Sequence, residues 1–370
     1  MKIAIDIRET AIGKAGKGYY TFHLVQNLLN LDTQNTYILY TDNPSAVFEE
    51  NDRVKIKVVS SFLSILWHKS VLKDAYKENV DIFFAPTSYI IPAIHNPKKI
   101  KVVMTVHDLV AFLLPDRHNK KAVITEKAFL KRALNKVAKV ITVSDNTKED
   151  LAEYFEIGRE GIEVIYPGAS SAFKNLLGTG LETVDDYRKS MHLTEPFILA
   201  VGTLEPRKNF VTLIRAFAQI VEDFPNHNLI IAGKKGWYYD EIFKAAHKLK
   251  IENKVRFLGY VSEKDLVRLY NGAEVFVYPS LYEGFGLPPL DAMQCGCPVI
   301  TSNISSLPEV VGDAAVMVNP NDIDSIATEM KRVLSDENLR KQMKSKGLDQ
   351  AREFSWEKSA KKLLELFNII

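Results

Sequence analysis

Two short segments carry side chains whose types and spacing suit phosphate and sugar-hydroxyl chemistry. The first is Gly202-Thr-Leu-Glu-Pro-Arg-Lys-Asn209. It lies between a strand-like run and a helical pattern, where backbone N–H groups and a helix dipole favour an anion. Arg207 and Lys208 add two positive charges. The guanidinium can grip two phosphate oxygens at once, and the ammonium acts as a point charge. The alternative is a solvated basic turn. The second segment is Tyr282-Glu-Gly-Phe-Gly-Leu-Pro-Pro-Leu-Asp-Ala-Met293. Gly284 and Gly286 let the backbone approach a ligand closely. A helix starting near Leu287 offers N–H donors at its first turn. Glu283 precedes the turn and Asp291 follows it, and a carboxylate accepts the hydrogen bonds that vicinal hydroxyls donate. The alternative is a glycine turn with a capping acid.

Three further features invite a chemical reading. His107 follows the apolar run 102–106, a place where a lone histidine is more often structural. Gly16 and Gly18 lie in an early strand-to-helix loop. With Gly13 they fail the spacing Gly-x-Gly-x-x-Gly, which disfavours a dehydrogenase. Asp322-Ile-Asp324 opens a helix, where acids are expected anyway, so it is read as capping rather than metal binding. Cationic side chains and a helix dipole can do for an anionic group what a metal would otherwise do. No metal or other cofactor is therefore expected.

The elements that must hold these residues are visible as two series. Strand-like runs at 3–7, 36–40, 54–58, 82–85, 102–106 and 140–143 alternate with helical patterns such as 18–30, 65–78 and 125–137. A turn-forming stretch, Tyr166-Pro-Gly-Ala-Ser-Ser171, breaks the series. Runs at 197–201, 229–232, 255–258, 275–278 and 299–301 then begin a second one. Such alternation predicts parallel sheets covered by helices. The expected fold class is α/β, with two Rossmann-like doubly wound domains facing across a cleft. Their ligands would sit at the carboxyl ends of the strands. The expected boundaries are a first domain at 1–170, a linker at 171–195 and a second domain at 196–354. A last amphipathic helix at 355–370, with Ser355 as its N-cap, is expected to pack back toward the first domain.

Composition bounds the rest. The chain has 370 residues, 46% hydrophobic and 25% charged, with a net charge of +2. That is soluble globular material for two cores, and it gives no global field for nucleic acid. Cys295 and Cys297 lie too close for a disulfide framework and read as two core residues in a reducing compartment. No run approaches the roughly 20 apolar residues of a membrane span, and no signal peptide is visible. The expected location is cytoplasmic. The segment 117–139 carries eight Lys or Arg against one Glu, and the nearby Phe62-Leu-Ser-Ile-Leu-Trp67 is apolar. Together these suit the inner face of an anionic membrane, or else a solvated helix and an ordinary core segment.

Glu283-x7-Asp291 together with Glu205-Pro-Arg-Lys208 resembles glycosyltransferase family 4, the retaining enzymes of GT-B architecture, and within it the mannosyltransferase-like branch of surface polysaccharide synthesis. Lys17-Gly-Tyr-Tyr-Thr21, Val106-His-Asp-Leu109, Thr142-Val-Ser-Asp145, Val164-Ile-Tyr-Pro-Gly168, Cys295-Gly-Cys-Pro298 and Leu307-Pro-Glu-Val-Val-Gly-Asp-Ala314 extend the resemblance over nearly the whole chain. It implies hexose transfer from a nucleotide-diphosphate sugar, GDP-mannose first and a UDP-sugar second, to a glycan or lipid-linked glycan such as lipopolysaccharide. It implies that Arg207 and Lys208, with Gly202 and Thr203, hold the donor diphosphate. Glu283 and His107 would meet the transferred sugar. The amides of Phe285, Gly286 and Leu287 would line sugar and phosphate, and Gly16 and Gly18 would border the phosphates and the acceptor. Asp291 would bind the ribose, although the family usually has Glu there and Asp is one methylene shorter. Two other classes fit the same architecture: a sugar-nucleotide epimerase, and a nucleotide-sugar binder without catalysis.

Overall fold

The computed structural model describes residues 1–11, 16–43, 47–61, 63–117, 119–176 and 181–370. Gly13, Phe62 and His118 of the segments above lie outside them. The chain forms two compact units, residues 1–168 with 355–370, and residues 169–354.

Among the described residues, the first unit holds a seven-stranded parallel sheet. Its strands are β1 (Lys2–Asp6), β2 (Thr36–Thr41), β3 (Val54–Val58), β4 (Ile82–Ala85), β5 (Lys101–Val106), β6 (Lys139–Thr142) and β7 (Ile162–Val164), in the order β3-β2-β1-β4-β5-β6-β7. The second unit holds six parallel strands. They are β8 (Phe197–Val201), β9 (Asn228–Ala232), β10 (Val255–Gly259), β11 (Val275–Tyr278), β12 (Val299–Ser302) and β13 (Val316–Val318), in the order β10-β9-β8-β11-β12-β13. Both orders reverse direction beside their first strand. That is the doubly wound pattern, whose switch point leaves a crevice at the strands' carboxyl ends.

The strands read as apolar runs because helices cover both faces. Ile3, Ala4 and Ile5 are fully buried in the first sheet, as are Phe197, Ile198, Leu199 and Ala200 in the second. The helix Phe210–Ile220 shows the matching helical period, burying Phe210, Leu213, Ile214, Phe217 and Ile220 on one side. The runs expected at 54–58, 82–85, 197–201 and 275–278 coincide with β3, β4, β8 and β11. The helix expected at 125–137 instead runs Lys120–Leu134. The stretch 171–195 is not a linker. It belongs to the second unit and carries the helix Leu181–Ser190, whose Val184 is buried. The charges on its outer side hid that helix from a reading based on apolar period.

The helix Trp356–Ile369 belongs to the first unit. Ser355 caps it, its Oγ accepting from the Lys358 amide at 3.1 Å. Trp356 packs against Tyr19, Tyr20 and His23 of the helix Lys17–Leu31. Ser359 Oγ donates to the Tyr166 carbonyl at 2.5 Å. Gly168 permits this closure, because a Cβ there would sit 2.1 Å from the Trp356 nitrogen. Gly168→Ala should therefore cost about 2 kcal/mol, within the usual range for overpacking. That corresponds to a fall of roughly 4–8 °C in Tm for a unit of this size. Thermal denaturation checks it, and an unchanged Tm would contradict the contact.

Candidate active site

In the second unit the loops after β8 and β11 leave adjacent strands on the two sides of the switch point. The β8 loop begins where two backbones touch. Gly202 donates to the Ala232 carbonyl at 2.9 Å. A Cβ on Gly233, whose φ is +157°, would lie 1.8 Å from the Gly202 oxygen. Thr203 follows, its methyl close against Gly236. Pro206–Lys208 then make a 3-10 turn, and Asn209 takes the left-handed conformation before the next helix. Its side-chain amide donates to the Pro279 carbonyl at 3.1 Å and the Pro320 carbonyl at 2.7 Å. The Leu281 amide donates back to the Arg207 carbonyl at 2.9 Å. These bonds clamp the β8 loop onto the β11 loop and bring Arg207 and Lys208 against Glu283.

Glu283 is buried and fully engaged. Its Oε1 accepts from Lys208 Nζ at 2.6 Å, from the Tyr278 hydroxyl at 2.8 Å and from Ser280 Oγ at 2.5 Å. Its Oε2 lies 2.6 Å from Arg207 Nη1. Arg207 also donates to the Tyr282 carbonyl at 2.7 Å and to Glu205 at 2.6 Å. Burial pushes the Glu283 carboxyl up, but Arg207, Lys208 and the hydrogen bonds together outweigh it and hold the group at about 2. Burial and the Arg207 charge lower the Lys208 ammonium. Burial raises the Glu205 carboxyl despite Arg207. Arg207 and Lys208 are thus not a solvated basic turn. Glu205, Tyr278 and Ser280 complete the cluster, and sequence reasoning gave none of them a role at the site. The nearness of Tyr278 and Ser280, five and three residues before Glu283, is the signal that was available.

Gly286 caps the helix Leu287–Gln294. Pro288 and Pro289 have no N–H, so the amides of Gly286 and Leu287 carry much of the donor capacity of that helix start. Phe285 is buried, and its carbonyl accepts from Ser306 Oγ at 2.6 Å. Asp291 lies inside the helix and is buried, with Oδ1 lacking any hydrogen-bond partner. Burial, helped by the Glu263 charge, raises its carboxyl well above the usual range. The two acids of the motif therefore differ. Glu283 is a committed anion, and Asp291 is an incomplete acceptor.

His107, Gly16 and Gly18, also predicted at the site, lie in the first unit. His107 follows β5 and is buried. Its Nε2–H donates to the Pro86 carbonyl at 2.7 Å, which fixes the tautomer with Nδ1 as acceptor. Burial and the Lys17 charge lower it to about 4, so the ring is neutral near pH 7. Tyr20 packs edge-on against it at 4.7 Å between centroids. Gly16 caps the helix Lys17–Leu31. Gly18 is buried inside that helix, as the helical pattern at 18–30 has it, and not in the loop with Gly16. Asp322 caps the helix Ile323–Ser335 by accepting from the Ser325 amide at 2.9 Å. Cys295 and Cys297 are free and buried. Among the described residues, no three His, Cys, Asp or Glu gather into a metal-binding group, and no helix is long and apolar enough to cross a membrane.

Comparison with known proteins bears on this geometry. The family profile described as Glycosyltransferase Family 4 matches residues 15–172, and the one described as Glycosyl transferases group 1 matches residues 185–350. The O-antigen chain mannosyltransferase B of Escherichia coli is 34% identical over 281 residues, covering 75% of this chain and 73% of that protein. The serotype-specific mannosyltransferase WbdA of Escherichia coli is 32% identical over 279 residues, covering 72% of this chain but only 33% of that longer protein. Among solved structures, Anabaena HepE in complex with UDP-glucose superposes with a TM-score of 0.81 at 18% identity, over 100% of both chains. At that identity the likeness is one of fold, that of the GT-B glycosyltransferases. The chain belongs to glycosyltransferase family 4 and is a glycosyltransferase built from two Rossmann-like units.

Proposed function

We propose that this enzyme moves a hexose, mannose from GDP-mannose first, with retention of configuration, onto a glycan or lipid-linked glycan acceptor in surface polysaccharide synthesis. The observation that carries the reading is the Arg207–Lys208–Glu283 cluster at the switch point of the second sheet. The names of the two Escherichia coli relatives favour mannose. The UDP-glucose bound to HepE favours a UDP-sugar as the second choice.

The reading assigns these roles. Arg207, Lys208 and the amides of Gly286 and Leu287 take the donor diphosphate, and Gly202 and Thr203 line its approach. Asp291 Oδ1 accepts from a ribose hydroxyl, the partner it lacks. Within the second unit Glu283 would meet a hydroxyl of the transferred sugar in exchange for one of its present donors. The neutral His107 ring is the first unit's proposed sugar contact, and Gly16 its proposed phosphate neighbour. As the sugar–phosphate bond stretches toward an oxocarbenium ion, the cations stabilise the departing diphosphate. One of its oxygens, on the same face, takes the acceptor proton. The cations do here what a metal does elsewhere, so the reading assigns no metal.

The enzyme would work at the inner membrane face through the helix Lys120–Leu134. Lys120, Lys127, Lys131 and Arg132 are exposed on it, and Ile124 is 70% exposed. Such a face suits anionic headgroups with one apolar anchor.

Four measurements test the reading. Arg207→Ala and Lys208→Ala should each lower the rate of nucleoside diphosphate release by about 100-fold, as loss of a charge-stabilising group does. Turnover within threefold of wild type would remove the phosphate assignment. In a panel of nucleotide sugars, GDP-mannose should raise Tm most, by the equivalent of about 2.7 kcal/mol at 100 times its Kd. NMR of the product should show the donor's anomeric configuration, and an inverted product rules out the front-face route. The protein should sediment with vesicles containing anionic lipid and much less with neutral ones. Ile124→Glu should cut the bound fraction at least fivefold, and indifference to lipid charge would refute the membrane contact.

A further inference from the structure

In the first unit two helices each send one charged side chain toward the residues that follow β5. Lys17 opens the helix Lys17–Leu31 and shares a face with Tyr20, which packs on His107. Glu126 sits in the helix Lys120–Leu134. It is the one acid of the segment 117–139, and it is buried while its neighbours Lys127 and Lys131 are exposed. Glu126 Oε1 lies 3.4 Å from Lys17 Nζ. That is longer than the roughly 2.7–2.9 Å of a closed charge-assisted bond. Glu126 Oε2 is buried and has no hydrogen-bond partner. Burial raises the Glu126 carboxyl, against the pull of Lys17, and the nearby Asp108 charge raises it further.

A buried acceptor left empty is costly, so the pair is incomplete as it stands. Lys17 is its outer member, with 36% of its side chain exposed against 11% for Glu126. A long, partly solvated stem can swing to admit a small polar group.

We infer that Lys17 and Glu126 form a subsite for a neutral sugar hydroxyl of the acceptor, which accepts from the Lys17 ammonium and donates to Glu126 Oε2. The donor and acceptor inventory selects this class. A hydroxyl does both at once. A phosphate offers only acceptors and is repelled by Glu126 and Asp108. An ammonium offers only donors and is repelled by Lys17. The subsite therefore takes a free hydroxyl of a pyranoside rather than its phosphate ester. This rests on the glycosyl-transfer reading and adds which chemistry of the acceptor is recognised.

The test uses the full chain, its donor, and matched pairs of alkyl pyranosides with and without one phosphate. Wild type should prefer the neutral member of a pair by at least tenfold in kcat/KM. Glu126→Gln keeps the shape and removes the charge. It should raise acceptor KM roughly tenfold, more than it lowers kcat, and shrink the preference to threefold or less. Lys17→Gln, at the exposed member, should also raise acceptor KM but widen the preference. Opposite movements of selectivity are not produced by simple loss of structure. Preference for the phosphorylated member, transfer to no neutral pyranoside, or a preference that neither variant moves would overturn the subsite. Nucleoside diphosphate release in the same assays separates the two levels. None with any donor sinks the transferase reading and this inference with it, whereas release with an unmoved preference sinks the subsite alone.

Discussion

A buried carboxylate must be compensated from several directions at once, and Glu283 sets that requirement for the second unit. Removing such a charge from water costs several kcal/mol, about as much as a single good partner returns. Glu283 has three donors on one oxygen and a guanidinium on the other. Those partners come from two loops. They meet only because β8 and β11 are neighbours in the sheet, although β9 and β10 come between them in sequence. The Asn209 side chain, the Leu281 amide and the Ser305 and Ser306 hydroxyls on the Glu283 carbonyl hold that meeting in place. Strand order, loop clamps and ion cluster are one solution to one electrostatic problem.

Against that saturated site stand two buried carboxylates with spare capacity. Asp291 and Glu126 each keep one oxygen out of contact with water and without a partner. Both are pushed toward the neutral form by burial, whereas Glu283 is held low by cations. Folded chains satisfy nearly all buried polar atoms. A ligand hydroxyl, as proposed for Asp291 in the helix Leu287–Gln294 and for Glu126 in the helix Lys120–Leu134, would complete each. The contrast separates a carboxylate whose acceptors are all in use from two that each have one to spare.

Most strands were legible because a sheet covered on both faces leaves short, continuous apolar runs, as at 275–278. β7 and β13 were not, being three residues each at sheet edges with half-exposed members. Gly18 fits both the helical pattern at 18–30 and the loop before it, because a glycine inside a helix and one before it look alike in sequence. Arg207, Lys208, Glu283 and Asp291 stood out by type and spacing. That Arg207 and Lys208 would already be paired did not, because pairing depends on strand neighbourhood rather than on local pattern. Lys17 and Glu126 are 109 positions apart. Each alone reads as an ordinary helix charge, and only the fold brings them together.

The pairing of Arg207 and Lys208 bears on how the proposed chemistry would run. With Glu205 and Glu283 ionised, the four side chains sum to zero, so net charge alone gives a diphosphate little reason to bind. Attraction in the ground state must come from orientation, meaning the N–H groups of the guanidinium and the start of the helix Leu287–Gln294. As the glycosidic bond breaks, negative charge grows on the leaving diphosphate. The cations, fixed by Glu283 and Glu205 in a poorly solvated setting, then act without reorganising. An arrangement that grips the ground state weakly and the separated charge strongly favours the transition state over the bound donor. On that reading the ion pairs do not compete with the site's function. They keep two cations rigid and restrain their pull until the bond begins to break.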